Sequence, residues 1–205
     1  LWHKRYGHLN FHSLKNLERL QMVTGLPEIQ ETKEPCEGCI LGKHHRDSFE
    51  TGTAWRASQP LELIHTDVCG PMKTPTLSGN RYFLLFIDDC TRMVWVYFMR
   101  NKSEVFTIFK KFKVMIELQS GVKIKRLRSD RGGEFTSMEF QEFCEGAGLQ
   151  KQLTVAYTPQ QNGVAERKNR TVVEMTKPML HDKKMPLSFW EGSQYISVSS
   201  KQVSN

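Results

Sequence analysis

The chain has 205 residues, 39% hydrophobic and 25% charged, enough to bury the core of one ordinary domain, or of one small and one medium domain. No run of about eighteen apolar residues is available to span a bilayer. Its five cysteines, one CxxC pair and three scattered singles, argue against a disulfide framework and for a reducing compartment. A formal charge of +7 and a pI near 9.2 favour a polyanionic partner, because Lys and Arg displace counterions from phosphates. Opening at Leu1 with neither an initiator Met nor a signal-peptide pattern, the chain is expected to be cut from a longer precursor.

The first fifty residues are rich in His and Cys and poor in strand-like runs. Residues 13–20, SLKNLERL, put Leu14, Leu17 and Leu20 on one helical face, but so short an amphipathic helix is marginal unless something else fixes it. His3, His8, Cys36 and Cys39 read H-x4-H, 27 residues, then C-x2-C, which supplies two imidazoles and two thiolates for a closed tetrahedral zinc site. Zinc would contribute the folding free energy that fifty residues with few aromatics cannot gather by burial. His12 is spaced to replace one imidazole. Cys36, Cys39 and His44 begin a nucleocapsid-type knuckle, C-x2-C-x4-H-x4-C, which fails at Phe49. The plain alternative is that the four residues bind nothing. Residues 51–60 lack a period and read as a linker.

From Leu61 the pattern becomes strand-rich: LELIHTDVC, then RYFLLFID and RMVWVYFM as a hairpin around Asp88 to Thr91. Ser103 can cap a helix carrying Val105, Phe106, Phe109, Phe112 and Ile116 at three- and four-residue steps. KIKRLRS reads as a fourth strand ending at Asp130; of its cations Lys123, Lys125, Arg126 and Arg128, alternate members suit a solvent edge. Thr136 and Glu139 have capping-box spacing before a helix with Phe140, Phe143 and Ala147, which Gly148 stops. A short strand over 149–155 follows. TPQQNGVAERKNRTVVEM then turns helical from about Gly163, with Val164, Val172 and Met175 as core contacts.

Three acids stand out. Asp67 lies within the first strand, on one face with His65 and Cys69, where an acid is unusual. Asp130 sits at a strand's C-terminal end, where open α/β sheets commonly place sites, with Gly132 and Gly133 permitting a tight exit. Glu166 lies on the late helix, with 35 residues between it and Asp130. Carboxylates converging from separate elements are what two-metal phosphodiester chemistry needs. Two of them have an ordinary reading as well: Asp130 with Gly132 and Gly133 as a turn, and Glu166 as a surface charge near Arg170. Asp88 and Asp89 serve the hairpin turn more simply, and Glu134 belongs to the loop after Asp130. Asn162, Glu166 and Arg170 share a helix face, which makes Asn162 and Arg170 candidate DNA contacts, with Arg167 and Lys168 peripheral.

The words HTDVCGPM, FIDDCTR, LRSDRGGEF and YTPQQNGVAERKNRT resemble the integrase core of copia-type long-terminal-repeat retrotransposons and, more distantly, retroviral integrase. LWHKRYGHLNFHSL with CEGCILGKHHR resembles the HHCC (GAG-pre-integrase) zinc module that precedes it in the Pol polyprotein. The resemblance implies an α/β, RNase H-like core with a five-stranded mixed sheet flanked by helices, preceded by a small helical zinc-binding module. It implies a module over 1–50, a core over 61–190 and a divergent tail over 191–205. It makes Asp67, Asp130 and Glu166 ligands of two Mg²⁺ or Mn²⁺ ions, and His3, His8, Cys36 and Cys39 ligands of one structural Zn²⁺. The reaction implied is strand transfer, in which a DNA 3′-hydroxyl attacks a target phosphodiester, with endonucleolytic trimming as an option of the same site. Implied partners are double-stranded DNA and further copies of the chain, with no membrane. The implied location is the nucleus, after a stage in a cytoplasmic virus-like particle. Two readings compete. A catalytically inactive DNA-binding remnant gains from Pro178, which removes a helical donor at a cost of about 3 kcal/mol, and from the polar tail QYISVSSKQVSN, where the family continues as an alanine-rich helix. An RNase H-type nuclease shares the fold but gives the zinc module no role.

Overall fold

The computed structural model describes residues 1–30, 36–42, 55–154 and 163–194. The chain divides into two compact units, Thr53–Asn169, and Leu1–Gly52 with Arg170–Asn205.

In the first of these, β1 (Ile64–Cys69), β2 (Tyr82–Asp88) and β3 (Val94–Met99) form an antiparallel meander. Strands β4 (Arg126–Ser129) and β5 (Gln150–Leu153) run parallel beside β1, giving the order β3-β2-β1-β4-β5. This is the five-stranded mixed sheet expected from the resemblance. Helix α4 (Val105–Ser120) joins β3 to β4, and α5 (Gly133–Thr136) with α6 (Met138–Gly146) joins β4 to β5. Alternation along the strands decides which side the helices cover. Ile64, Val68, Leu84, Phe86 and Leu127 meet Phe109, Phe112, Ile116, Phe140 and Cys144 in one apolar cluster. At its centre Phe86 stacks on Phe112, ring centroids 4.1 Å apart. His65, Asp67 and Cys69 therefore point to the other face.

Local capping departs from the sequence reading by one or two places. A turn at Lys102–Glu104 precedes α4, and Glu104, rather than Ser103, closes its start by accepting the N–H groups of Arg100 (2.9 Å) and Asn101 (2.7 Å). Helix α6 is capped by Ser137 and not Thr136: the Ser137 hydroxyl accepts from Phe140 N at 3.3 Å, while Thr136 bonds back to Gly132 O. Ser137→Ala should therefore cost about 1 kcal/mol and Thr136→Ala less, a difference that urea denaturation of the two variants can measure. The reverse ranking would place the cap at Thr136.

The first strand begins at Ile64, three residues later than its apolar run, because Leu61 turns at φ 61° and gives its N–H to Asp88 Oδ1 (2.9 Å). Asp88 also takes the Thr91 N–H (2.8 Å) and hydroxyl (2.7 Å), which is the turn role expected of it. Asp89 does more than serve the turn. Buried, it accepts from Ala57 N (2.8 Å) and His65 Nε2 (3.0 Å) and pairs with Arg92 (3.0 Å). The basic strand is not a solvent edge, since β4 lies between β1 and β5. Arg126 and Arg128 are instead bonded to Gln150 and Gln152 on the neighbouring strand.

The second unit contains α1 (Trp2–Arg5), α2 (Phe11–Arg19) and α3 (Glu37–Gly42). Leu9, Leu14, Leu17 and Ile29 form one buried cluster in it, with Trp2, Tyr6, Phe11 and Leu26 around them. Asn10 caps α2 through Ser13 N (2.7 Å). Leu20, expected on the buried face, lies just past the helix and is exposed. The residues from Arg170 onward in α7 (Gly163–Asp182) also belong here. Pro178 does not end that helix, which continues to Asp182 with Leu180 buried. Pro178 packs where Gly38 leaves room: a Cβ at Gly38 would stand 3.3 Å from Pro178 Cβ. Lys4 pairs with Asp182 in the same unit.

Candidate metal centres

Asp67 owes its position to strand register. Ile64 pairs with Leu127 and His65 with Arg128 on the parallel neighbour β4; carried three places on, that register sets Asp67 beside Asp130. Asp130 follows the last residue of β4 and accepts the Gly132 N–H at 3.0 Å, turning the chain into α5. The exit does not use a left-handed glycine, for Gly132 has φ −55°. What Gly132 supplies is space, since a Cβ there would come within 2.7 Å of Glu134 Oε2. Glu166 stands exposed in the first turn of α7.

The three carboxylates lie within electrostatic reach. Burial, and next the charge of Asp130, push the Asp67 carboxyl up to about 7; Glu166 adds to the rise, and the Val68 N–H and Asn169 amide oppose it. Like charges held this close favour a proton or a cation between them. Hard carboxylate oxygens are the donors that a divalent ion such as Mg²⁺ or Mn²⁺ takes. Asn169, missed in the sequence, completes the arrangement. Its Nδ2 donates to Asp67 Oδ2 at 2.7 Å, it is 6% exposed, and its Oδ1 has no hydrogen-bond partner among the described residues. The available signal was its place three residues after Glu166, where helical neighbours face the same way.

Of the expected DNA contacts, Asn162 lies outside the described residues. Arg167 folds over Gly163, its Nη1 2.9 Å from where a Cβ would be, and Lys168 and Arg170 are half-buried. The competing acids are engaged elsewhere: Asp88 and Asp89 as above, and Glu134 with Lys102 at 2.8 Å.

The raised carboxyl gives a stability prediction whose sign follows from linkage. A carboxyl whose folded pKa exceeds its unfolded value near 3.8 binds its proton more tightly when folded. It therefore opposes folding increasingly as pH rises toward 7 and above. Asp67→Asn should stabilise the metal-free chain by about 2 kcal/mol at pH 8 and by almost nothing at pH 3. Thermal melts at the two pH values check this; an equal effect at both would remove the strained charge from the account.

The second centre joins His3, His8, Cys36 and Cys39, whose ligand atoms all lie within 4.8 Å of one another. Cys36 Sγ is 3.3 Å from His8 Nδ1, and Cys39 Sγ is 3.3 Å from His3 Nε2 and 3.6 Å from His8 Nδ1. A tetrahedral zinc with ordinary Zn–S and Zn–N bonds has S···N edges of about 3.6 Å, so the four groups fit the ion. Gly7 and His8 both adopt positive φ, 63° and 58°, which bends the chain so that both imidazoles meet. His3 Nδ1 lies 2.8 Å from Leu9 O, a bond that fixes the tautomer and leaves Nε2 to face the thiols. His12 is not part of the cluster: it sits on α2, exposed, against Asn16. His44, the third ligand of the knuckle alternative, lies outside the described residues.

Comparison with known proteins gives the family. Residues 57–159 match the family described as "Integrase core domain" and residues 1–44 the "GAG-pre-integrase domain". The chain is 47% identical over 190 residues, 93% of its length, to the "Retrovirus-related Pol polyprotein from transposon TNT 1-94" of Nicotiana tabacum. It is 33% identical over 201 residues, 96% of its length, to the "Retrovirus-related Pol polyprotein from transposon RE2" of Arabidopsis thaliana. It spans only 14% and 13% of those two polyproteins. A chain of the simian T-cell lymphotropic virus intasome solved with PP2A regulatory subunit B56 gamma has the same fold, with a TM-score of 0.57 at 16% identity, covering 80% of this chain and 55% of that one.

Proposed function

The chain belongs to the integrase core domain family, and from that premise we propose that it is the part of a retrotransposon Pol polyprotein that joins element DNA to target DNA. Asp67, Asp130 and Glu166 are the catalytic carboxylates of this reading. The observation that carries it is the half-buried Asp67 carboxyl, bonded to Asn169 and raised first by desolvation and then by the charge of Asp130. When bound, two Mg²⁺ or Mn²⁺ ions would activate the attacking hydroxyl and stabilise the leaving oxygen. The element's 3′-hydroxyl forms the new P–O bond, the bond to the target's 3′-oxygen breaks, and that oxygen leaves with a proton. Asn169 holds the Asp67 carboxylate through Oδ2 while this happens. Residues 1–50 serve as a structural zinc module, 61–190 as the core and 191–205 as a divergent tail. Duplex DNA is the partner, contacted by Asn162, Arg167, Lys168 and Arg170. Joining two DNA ends calls for more than one copy of the chain. The reading places its work in the nucleus, after a cytoplasmic particle stage.

The test is to incubate the purified chain with a duplex matching an element terminus, supercoiled plasmid and Mg²⁺ or Mn²⁺. Metal-dependent joined products are expected. Wild-type chain that binds the duplex and never joins it would establish the inactive DNA-binding remnant instead. Cleavage confined to RNA–DNA hybrids would favour the RNase H-type nuclease.

A further inference from the structure

Lys102 opens the turn before α4, and Glu134 lies in α5, four residues past Asp130. Lys102 Nζ and Glu134 Oε1 are 2.8 Å apart, and the two side chains differ sharply in exposure, 46% for the lysine and 8% for the glutamate. The glutamate carboxylate is folded toward Gly132, where an added Cβ would stand 2.7 Å from Oε2. The lysine ammonium is left with one N–H directed at a buried carboxylate and further donors available to solvent. The hydrogen bond to Glu134 and its charge, and then the charge of Asp130, favour the charged form of the ammonium. A half-exposed ion pair contributes little to folding, about 0–1 kcal/mol. A permanently charged donor fixed beside a carboxylate proposed to act on phosphodiesters can instead engage the substrate.

We infer that Lys102 is a DNA contact, its ammonium binding a non-bridging oxygen of a phosphate next to the one being attacked, with Glu134 as the positioning residue that holds it there. This rests on the function proposed above. On DNA binding the ammonium keeps Glu134 as one acceptor and gains phosphate as another, so no charge has to be buried unpaired. Lys102 thereby adds a cation contributed by the β3–α4 connection to those expected along α7.

The experiment uses the whole chain and its Lys102→Gln, Lys102→Arg and Glu134→Gln variants. Affinity for a duplex carrying an element terminus is measured with Mg²⁺ across about 50 to 200 mM salt, together with KM and kcat for joining. Lys102→Gln is expected to weaken binding about tenfold, the loss of one charge-assisted hydrogen bond, and to lower the slope of log affinity against log salt by about 0.9. Lys102→Arg restores most of both. Glu134→Gln removes the same ion pair but keeps the ammonium, so its salt slope stays that of the wild type. A merely structural pair predicts otherwise: both removals would act alike, on thermal stability and not on the slope, and that result overturns the inference. Failure of the underlying function shows separately, as wild-type chain whose joining, if any, does not depend on Glu166.

Discussion

Glu166→Gln lowers DNA joining by at least about three powers of ten while leaving the fold and duplex binding in place. The magnitude follows from what a carboxylate at a metal centre contributes, several kcal/mol of charge stabilisation in the transition state, at a tenfold change in rate per 1.36 kcal/mol. Glu166 is exposed in the first turn of α7, so its amide isostere leaves no buried group unsatisfied. Asp130→Asn and Asp67→Asn should be as severe. Because the three act as a unit, the double variants should be scarcely worse than the singles. Asn169→Ala falls between: it removes the donor on Asp67 Oδ2 without removing a carboxylate. Single-turnover joining assays on the wild type, the four single variants and the double variants would rank these effects. A Glu166→Gln chain that still joins DNA at a tenth of the normal rate would dismiss the three-carboxylate reading.

Removing zinc should produce the largest change in stability. A closed site of two imidazoles and two thiolates contributes on the order of 10 kcal/mol of folding free energy at neutral pH. The cluster beside it is small, four buried side chains with Trp2, Tyr6, Phe11 and Leu26 partly covered around them. Cys36→Ser, or a strong chelator, is expected to unfold the His- and Cys-rich unit while the sheet unit keeps its own transition. Acid should do the same, since protonating the thiolates and imidazoles expels the metal. Metal analysis of the purified chain should find one zinc, and hydrogen exchange should show protection of residues 9–17 lost with it. A zinc-free preparation with those amides still protected would mean that the four side chains pack without the ion.

The fold was legible wherever one element's own periodicity determined it. The phenylalanines of α4 recur at helical steps and do face the sheet, and the hairpin pairs as its two alternating runs require. Of the site, the acids in strands and at strand ends could be seen because such positions are unusual for acids. Asn169 could not, because an asparagine among ERKNR reads as helix surface until a strand 102 residues away is laid beside it. Lys102 and Glu134, 32 residues apart, were hidden for the same reason. Asp89 was obscured by Asp88: two adjacent acids at a hairpin suggest one shared turn, and only tertiary structure assigns them different partners. Pro178 lies inside the late helix as the sequence indicated, while its packing against Gly38 could not be read from helix propensity.

Asp89 also bears on where the sheet unit can be cut free. Its buried carboxylate holds Ala57 N, His65 and Arg92 at once, so the segment just before β1 is clamped to the hairpin. A truncation starting at residue 61, where the strand pattern begins, would leave Asp89 with one acceptor site unanswered in the interior. One starting at or before Trp55 keeps the clamp whole, and a protease is expected to spare the peptide bonds on its C-terminal side. Where the sheet unit can begin is thus fixed by a single aspartate in the second hairpin turn and not by the first strand.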